Sequence, residues 1–238
     1  MLRFKNRFIT SVCFLASLAI GLGMTGAMLP ASALQPASEA TIASHKTFSE
    51  LLDLENSTDF ELAQKGFIAR DENLKVVDEA GRVVWDMTQY EFLNGERPDT
   101  VNPSLWRQAK LNAIYGLFKV RDRIYQVRGY DLANMTIIEG DTGWIIVDPL
   151  TSVETAAAAM KLVNRELGER PVRAVLSTHS HADHFGGIRG VVSQEDLTSG
   201  RVRFVAPENL VEESVSENVI AGNAMFRRVT YMFGSLLP

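Results

Sequence analysis

The chain has 238 residues, 46% apolar and 22% charged, enough for one large domain or two small ones. That balance excludes a disordered chain, and a formal net charge of −5 excludes the basic surface that nucleic-acid binding needs.

In chain order, "MLRFKNRF" sets Arg3, Lys5 and Arg7 before an uncharged apolar run from Ile9 to Leu29. Pro30 and "ASALQ" follow, with Ala31 and Ala33 in the small-x-small pattern of a signal-peptidase site. The expectation is a cleaved export signal over residues 1–33, leading to a periplasmic or secreted protein. An uncleaved anchor is the alternative, because the run nearly reaches the length of a membrane span. Gly21, Gly23, Gly26 and Pro30 speak against a stable spanning helix, so no membrane span is expected after cleavage. The one cysteine, Cys13, lies inside this segment, so the mature chain is left with neither disulfides nor a thiolate metal site. Losing three basic residues moves the formal net charge from −5 to −8.

Residues 34–117 read as a helical and hairpin lead-in. "TFSELLDLENSTDFELAQKGFIA" spaces Phe48, Leu51, Leu52 and Leu54, then Phe60 and Leu62, at helical intervals. "LKVVDEAGRVVWDM" alternates and predicts a hairpin turning at Ala80–Gly81. Ser104 is placed to cap a helix that ends near Gly116. Residues 118–238 read as a separate α/β domain. "KVRDRIYQVRG", "NMTIIEG" and "GWIIVDP" predict strands, the last two joined by a tight turn at Gly140–Asp141. "TSVETAAAAMKLVNRELGE" predicts a helix capped by Thr151 or Ser152 and ended by Gly168. "VRAVLST" predicts a short buried strand and "RVRFVAP" another, with mostly helical chain from Pro207.

Immediately after "VRAVLST" comes "HSHADHFGG", which holds three of the four histidines in the chain. A buried strand followed by such a loop places them where open α/β sheets hold their ligands. His179 and His181 are two apart, so in an extended loop they point the same way and suit one ion. Asp183 and His184 are adjacent and suit a second ion close by. Imidazole and carboxylate donors without thiolate fit zinc or a similar divalent metal in a catalytic setting. Gly186 and Gly187 are expected to let the backbone pass close to the metals. Solvated loop histidines are the bland alternative, but four ligand-type residues in H-x-H-x-D-H order favour metal. His45 stands apart in a polar stretch and is given no role.

"THSHADHFGG" resembles the signature of the metallo-β-lactamase superfamily. Its flanks narrow the match: "VNPSLWRQ", "GLFKV", "IYQVRGYDLANMTIIEGDTGWIIVDPLTSVETAAAA", "RPVRAVLSTHSHADHFGG" and "SENVIAGNAM" resemble the linear (primary) alkylsulfatases, secreted enzymes that hydrolyse dodecyl sulfate and similar surfactants. The resemblance runs from about Phe67 to Pro238. It implies an αββα sandwich, two zinc ions per complete site, and release of alcohol and sulfate with a hydroxide between the metals as nucleophile or base. His179 and His181 are then the implied ligands of one zinc and Asp183 and His184 of the other, with Asp183 also the candidate catalytic side chain. Asp148, in "VDP", matches a superfamily aspartate that holds the metal loop, although a helix-capping role explains it as well. Tyr130, Asn134 and Met135 are candidates to line the substrate pocket. The implied partner is a small alkyl sulfate, with a homodimer for full-length relatives.

The pattern also departs from that family. Relatives are several hundred residues longer and carry two glutamates and a further histidine as ligands downstream. No histidine follows His184 here, and Glu208, Glu212, Glu213 and Glu217 do not sit in the family's ligand context. The expectation is the first half of the sandwich, with an exposed sheet face, zinc binding too weak to hold a dinuclear centre, and no hydrolysis of dodecyl sulfate by residues 34–238 alone. Another hydrolase of the superfamily and a non-catalytic metal-binding fragment are the alternative functions.

Overall fold

The computed structural model describes residues 35–233, and for residues 229–233 the backbone alone. The chain divides into two compact units, Met1–Pro36 and Ala37–Pro238. Residues 1–33, read above as an export signal, lie outside the described residues. Of the first unit only Gln35 and Pro36 are described, in neither helix nor strand.

The second unit begins with helices α1 (Glu39–Leu51) and α2 (Thr58–Gln64). Ser38 caps α1, its hydroxyl accepting from Thr41 N. Neither helix has a buried residue, and Leu51 is 75% exposed. Helical periodicity located these elements but did not imply burial.

Strand β1 (Phe67–Ala69) joins the main sheet, while β2 (Lys75–Val77) and β3 (Val83–Asp86) form a separate hairpin. Asp78 shapes that hairpin's turn by accepting from the backbone N–H groups of Ala80 and Arg82. A 3₁₀ segment, Met87–Asn94, leads to α3 (Pro103–Asn112). The cap of α3 is Asn102 rather than Ser104: the Asn102 side chain accepts from Ser104 N at 2.9 Å, and Pro103 takes the first helical position.

The main sheet has seven strands in the order β1-β4-β5-β6-β7-β8-β9. The stretch expected as one strand over "KVRDRIYQVRG" is two, β4 (Gly116–Arg121) and β5 (Ile124–Arg128). Arg123 makes the turn between them at φ 59°, a left-handed conformation that arginine rarely signals in a sequence. Strands β6 (Met135–Glu139) and β7 (Trp144–Val147) continue the antiparallel meander. Helix α4 (Val153–Leu167) then crosses over to β8 (Val172–Leu176), parallel to β7, and β9 (Arg203–Val205) adds a second parallel pairing. Short helices α5 (Ile188–Val191) and α6 (Gln194–Thr198) link β8 to β9. Beyond β9, α7 (Leu210–Val215), a π-helical turn at Ser216–Ile220 and α8 (Gly222–Phe233) complete the described chain.

Ser152 caps α4 in a reciprocal capping box with Thr155, so Asp148 is not the cap. The apolar stripe Ala156, Ala159, Met160, Leu162 and Val163 is buried against Val127, Met135, Ile137, Ile146 and Val175 from the sheet. Each fully buried Leu, Ile, Met or Val of this kind stabilises by roughly 1.5–3 kcal/mol relative to exposure. The opposite face of the sheet is thinly covered. In β8 only Val175 is buried, and all of β9 is exposed, Phe204 and Val205 by 42% and 47%. The strand expected to be buried is thus buried on one face. Among the described residues no helix is long and apolar enough to cross a membrane.

Candidate metal centre

The histidine loop leaves the carboxyl end of β8, as the strand–loop pattern predicts. Ser177 N still donates to Val205 O at 2.9 Å, and the chain then turns through a 3₁₀ segment at Ala182–His184. The His179 ring centroid lies 4.7 Å from that of His181 and 4.0 Å from that of His184. His184 Nε2 stands 3.3 Å from Asp183 Oδ2. The four candidate ligands are therefore one cluster, partly open to solvent. His45 takes no part: its Nδ1 pairs with the Asp99 carbonyl.

Asp148 sits beneath the loop. Its Oδ1 accepts from Thr178 N at 2.8 Å and its Oδ2 from Thr178 Oγ1 at 2.9 Å. A hydroxyl has one proton, so Thr178 Oγ1, while donating to Asp148, accepts from His179 Nδ1, 2.9 Å away. That leaves Nε2 of His179 with a free lone pair. Asp148 Oδ2 also lies 2.9 Å from His184 Nδ1. That buried nitrogen is off the line of a good hydrogen bond and has no partner of full hydrogen-bond geometry. Asp148 and Leu150 are left-handed, at φ 56° and 66°. Such conformations cost about 1–3 kcal/mol each and persist where surrounding bonds impose them. Here the bonds are Asp148 N to Leu176 O and Leu150 N to Asp148 O, each 2.9 Å.

Gly186 and Gly187 serve a different close approach from the one expected. A Cβ on Gly187 would overlap Pro149 O and come within 2.6 Å of Ser152 O, and one on Gly186 would overlap Thr151 O. The glycines let the histidine loop lie on the backbone of the β7–α4 connection. Gly187 N donates to Leu150 O there at 2.9 Å.

The residue that sequence reasoning missed is Asp131. It is 6% exposed and accepts from Leu132 N, Thr151 N, Thr151 Oγ1 and Thr155 Oγ1. It fixes the connection on which the glycines rest. A single aspartate inside "GYDLANMT" carries no spacing signal, because its partners are about 20 residues away. Asp131→Ala leaves buried donors without acceptors, each costing about 1–3 kcal/mol. We expect a destabilisation of roughly 2–4 kcal/mol in chemical denaturation, with Asp131→Asn milder.

Tyr130, expected near the substrate, is fully buried instead, and burial pushes its hydroxyl pKa up. The hydroxyl donates to Asp71 Oδ2 at 3.0 Å and accepts from Asp71 N, tying the lead-in to the sheet. Met135 is likewise core. Asn134 is exposed and lines a cavity of about 410 Å³ with Arg128, Leu132, Leu105 and Leu111.

The donor set matches a divalent ion in type. The 3.3 Å between Asp183 and His184 is the separation of two tetrahedral ligands bonded at about 2.0–2.1 Å, and His184 Nδ1, on the other side of the ring, faces Asp148 without a full hydrogen bond. The set is not closed: among the described residues no three His, Cys, Asp or Glu side chains converge on one point.

Residues 128–223 match the metallo-beta-lactamase superfamily. Over 234 residues, 98% of its length, the chain is 47% identical to a linear primary-alkylsulfatase of Pseudomonas sp.. The chain resembles the N-terminal part of the alkylsulfatases. It spans 34% of that relative's length. An alkyl/aryl-sulfatase of Saccharomyces cerevisiae is 49% identical over 83% of the chain and 31% of its own. Among solved structures, the stereoselective inverting sec-alkylsulfatase Pisa1 from Pseudomonas sp. superposes with a TM-score of 0.77 at 48% identity, over 83% of this chain and 31% of that one. The mixed α/β architecture thus resembles that of the sec-alkylsulfatase, of which the chain matches about a third of the length.

Proposed function

We propose that the protein hydrolyses long-chain alkyl sulfates of the dodecyl sulfate type to alcohol and sulfate, outside the cytoplasm, with two zinc ions. The observation that carries this is the cluster of His179, His181, Asp183 and His184 beyond β8, in a chain 47% identical to a linear primary-alkylsulfatase. In this reading His179 and His181 hold one ion and Asp183 and His184 the other. Zinc, when bound, supplies Lewis-acid polarisation of the ester and acidifies water toward neutral pH. The protein's own contributions are positional. Asp148 and Thr178 fix the His179 ring so that Nε2 faces outward. Asp183 adds a carboxylate at the reacting centre as ligand and proton acceptor, the role we assign it in catalysis. Asn134 lines a partly apolar cavity together with Arg128, a lining that suits contact with an anionic amphiphile.

The test is to express the protein in full length, recover it from outside the cytoplasm, saturate it with zinc and measure sulfate and dodecanol released from dodecyl sulfate. Turnover is expected, on protein whose N-terminus is Leu34. Zinc-loaded protein that leaves dodecyl sulfate intact and instead opens a β-lactam or a thioester would place it among other hydrolases of the superfamily. An intact Met1 on membrane-retained protein would overturn export.

A further inference from the structure

Glu217 enters the site from an unexpected direction. It lies in the π-helical turn Ser216–Ile220, where Ala221 N bonds Ser216 O at 2.9 Å. Single π turns of this kind are rare and often mark functional positions. Its Oε2 stands 3.1 Å from His181 Nε2, close enough to pair with the ring though off the line of a full hydrogen bond. The surrounding segment is fastened to Ser180, the residue between the first two histidines of the loop. Ser180 Oγ donates to Glu217 Oε2 at 3.2 Å, and Ser214 Oγ and Asn218 Nδ2 both donate to Ser180 O at 3.2 Å. Three hydrogen bonds and one carboxylate–imidazole contact thus converge on two adjacent loop residues. The His181 and Glu217 side chains are 45% and 37% exposed, so the pair adds little to stability. Its consequence is geometric. An imidazole whose one nitrogen is held by a carboxylate presents the other as the donor, in one orientation.

We propose that Glu217 is a positioning residue for His181, holding the proton on Nε2 and thereby turning Nδ1 toward the metal. Resting on the reading of His181 as a ligand, this assigns the segment Ser214–Asn218 a part in the site. The neighbouring histidine is held the opposite way, His179 giving its Nδ1 to Thr178. The two ligands of one ion then bind through different nitrogens, each selected by a separate anchor.

The experiment uses full-length protein, zinc affinity by chelator competition, and nitrogen-15 NMR of the histidine rings in the zinc-loaded state. Glu217→Ala is expected to weaken zinc binding about 10–100-fold, the usual cost of losing a group that orients a ligand. It should also change the His181 ring spectrum from the Nε2–H tautomer. Glu217→Gln should recover most of the affinity, because its amide oxygen still accepts that proton. Affinity within about two-fold of the parent in Glu217→Ala, with the His181 spectrum unchanged, overturns the proposal. So does loss of one zinc equivalent at saturation, which would make Glu217 a ligand. His181→Ala in the same titration separates the two levels. If it too keeps full affinity, the reading of His181 as a ligand fails; if it alone loses zinc, only the role of Glu217 fails. Should Glu217→Ala fold poorly by circular dichroism, Ser180→Ala, which frees the carboxylate, decides: weaker zinc binding supports the role and no change overturns it.

Discussion

His181→Ala is expected to lower dodecyl sulfate hydrolysis by the full-length protein by more than about 100-fold at limiting zinc, because even losing a group that merely orients a ligand costs about 10–100-fold. The fold should survive. The His181 side chain is 45% exposed and, among the described residues, meets the His179 ring and Glu217, so truncation opens no internal cavity. The decisive pair of measurements is turnover at several zinc concentrations and the thermal midpoint. A loss that excess zinc partly restores, with the midpoint of the zinc-free protein unchanged, is the signature of a removed ligand. Activity within a few-fold of the parent at limiting zinc would take His181 off the ligand set.

Asp148→Ala should be nearly as damaging, through a different route. The carboxylate accepts from both the backbone and the hydroxyl of Thr178, and it faces His184 Nδ1 at 2.9 Å. Removing it leaves Thr178 without its acceptors, loosens the anchor of His179, and takes away the carboxylate that faces His184. We expect zinc affinity to fall by about 10–100-fold and stability by roughly 1–3 kcal/mol from the orphaned donors. Alanine also inherits a φ of 56°, which disfavours any residue with a Cβ other than Asn or Asp. Asp148→Asn keeps the shape and tolerates that φ, so it should preserve stability better than affinity. Equal losses of stability in the two variants, with zinc binding unchanged, would reduce Asp148 to a structural turn residue.

The cluster of ligand-type residues was legible in the sequence because its members are local. His179, His181, Asp183 and His184 lie within six positions after an apolar strand, and spacing alone brings them together. Helix α4 was legible for the same reason, with its cap, its apolar stripe and its terminal glycine contiguous. What sequence could not show was support that arrives from far along the chain. Asp131 reaches Thr151 and Thr155, Tyr130 turns away to Asp71, and Glu217 comes back to His181 over some 36 residues. The turn at Arg123 and the cap at Asn102 were missed because neither residue type demands its conformation. By itself, then, the sequence determined the α/β pattern, the place of the histidine loop after a strand and the chemical class of its donors. The tertiary structure alone decided which nitrogen of His179 is engaged by Thr178, why Gly186 and Gly187 must lack side chains, and which carboxylates lie against the loop. Periodicity and spacing encode contacts within a turn or a strand, whereas an orienting hydrogen bond needs only one suitably placed atom from anywhere in the fold.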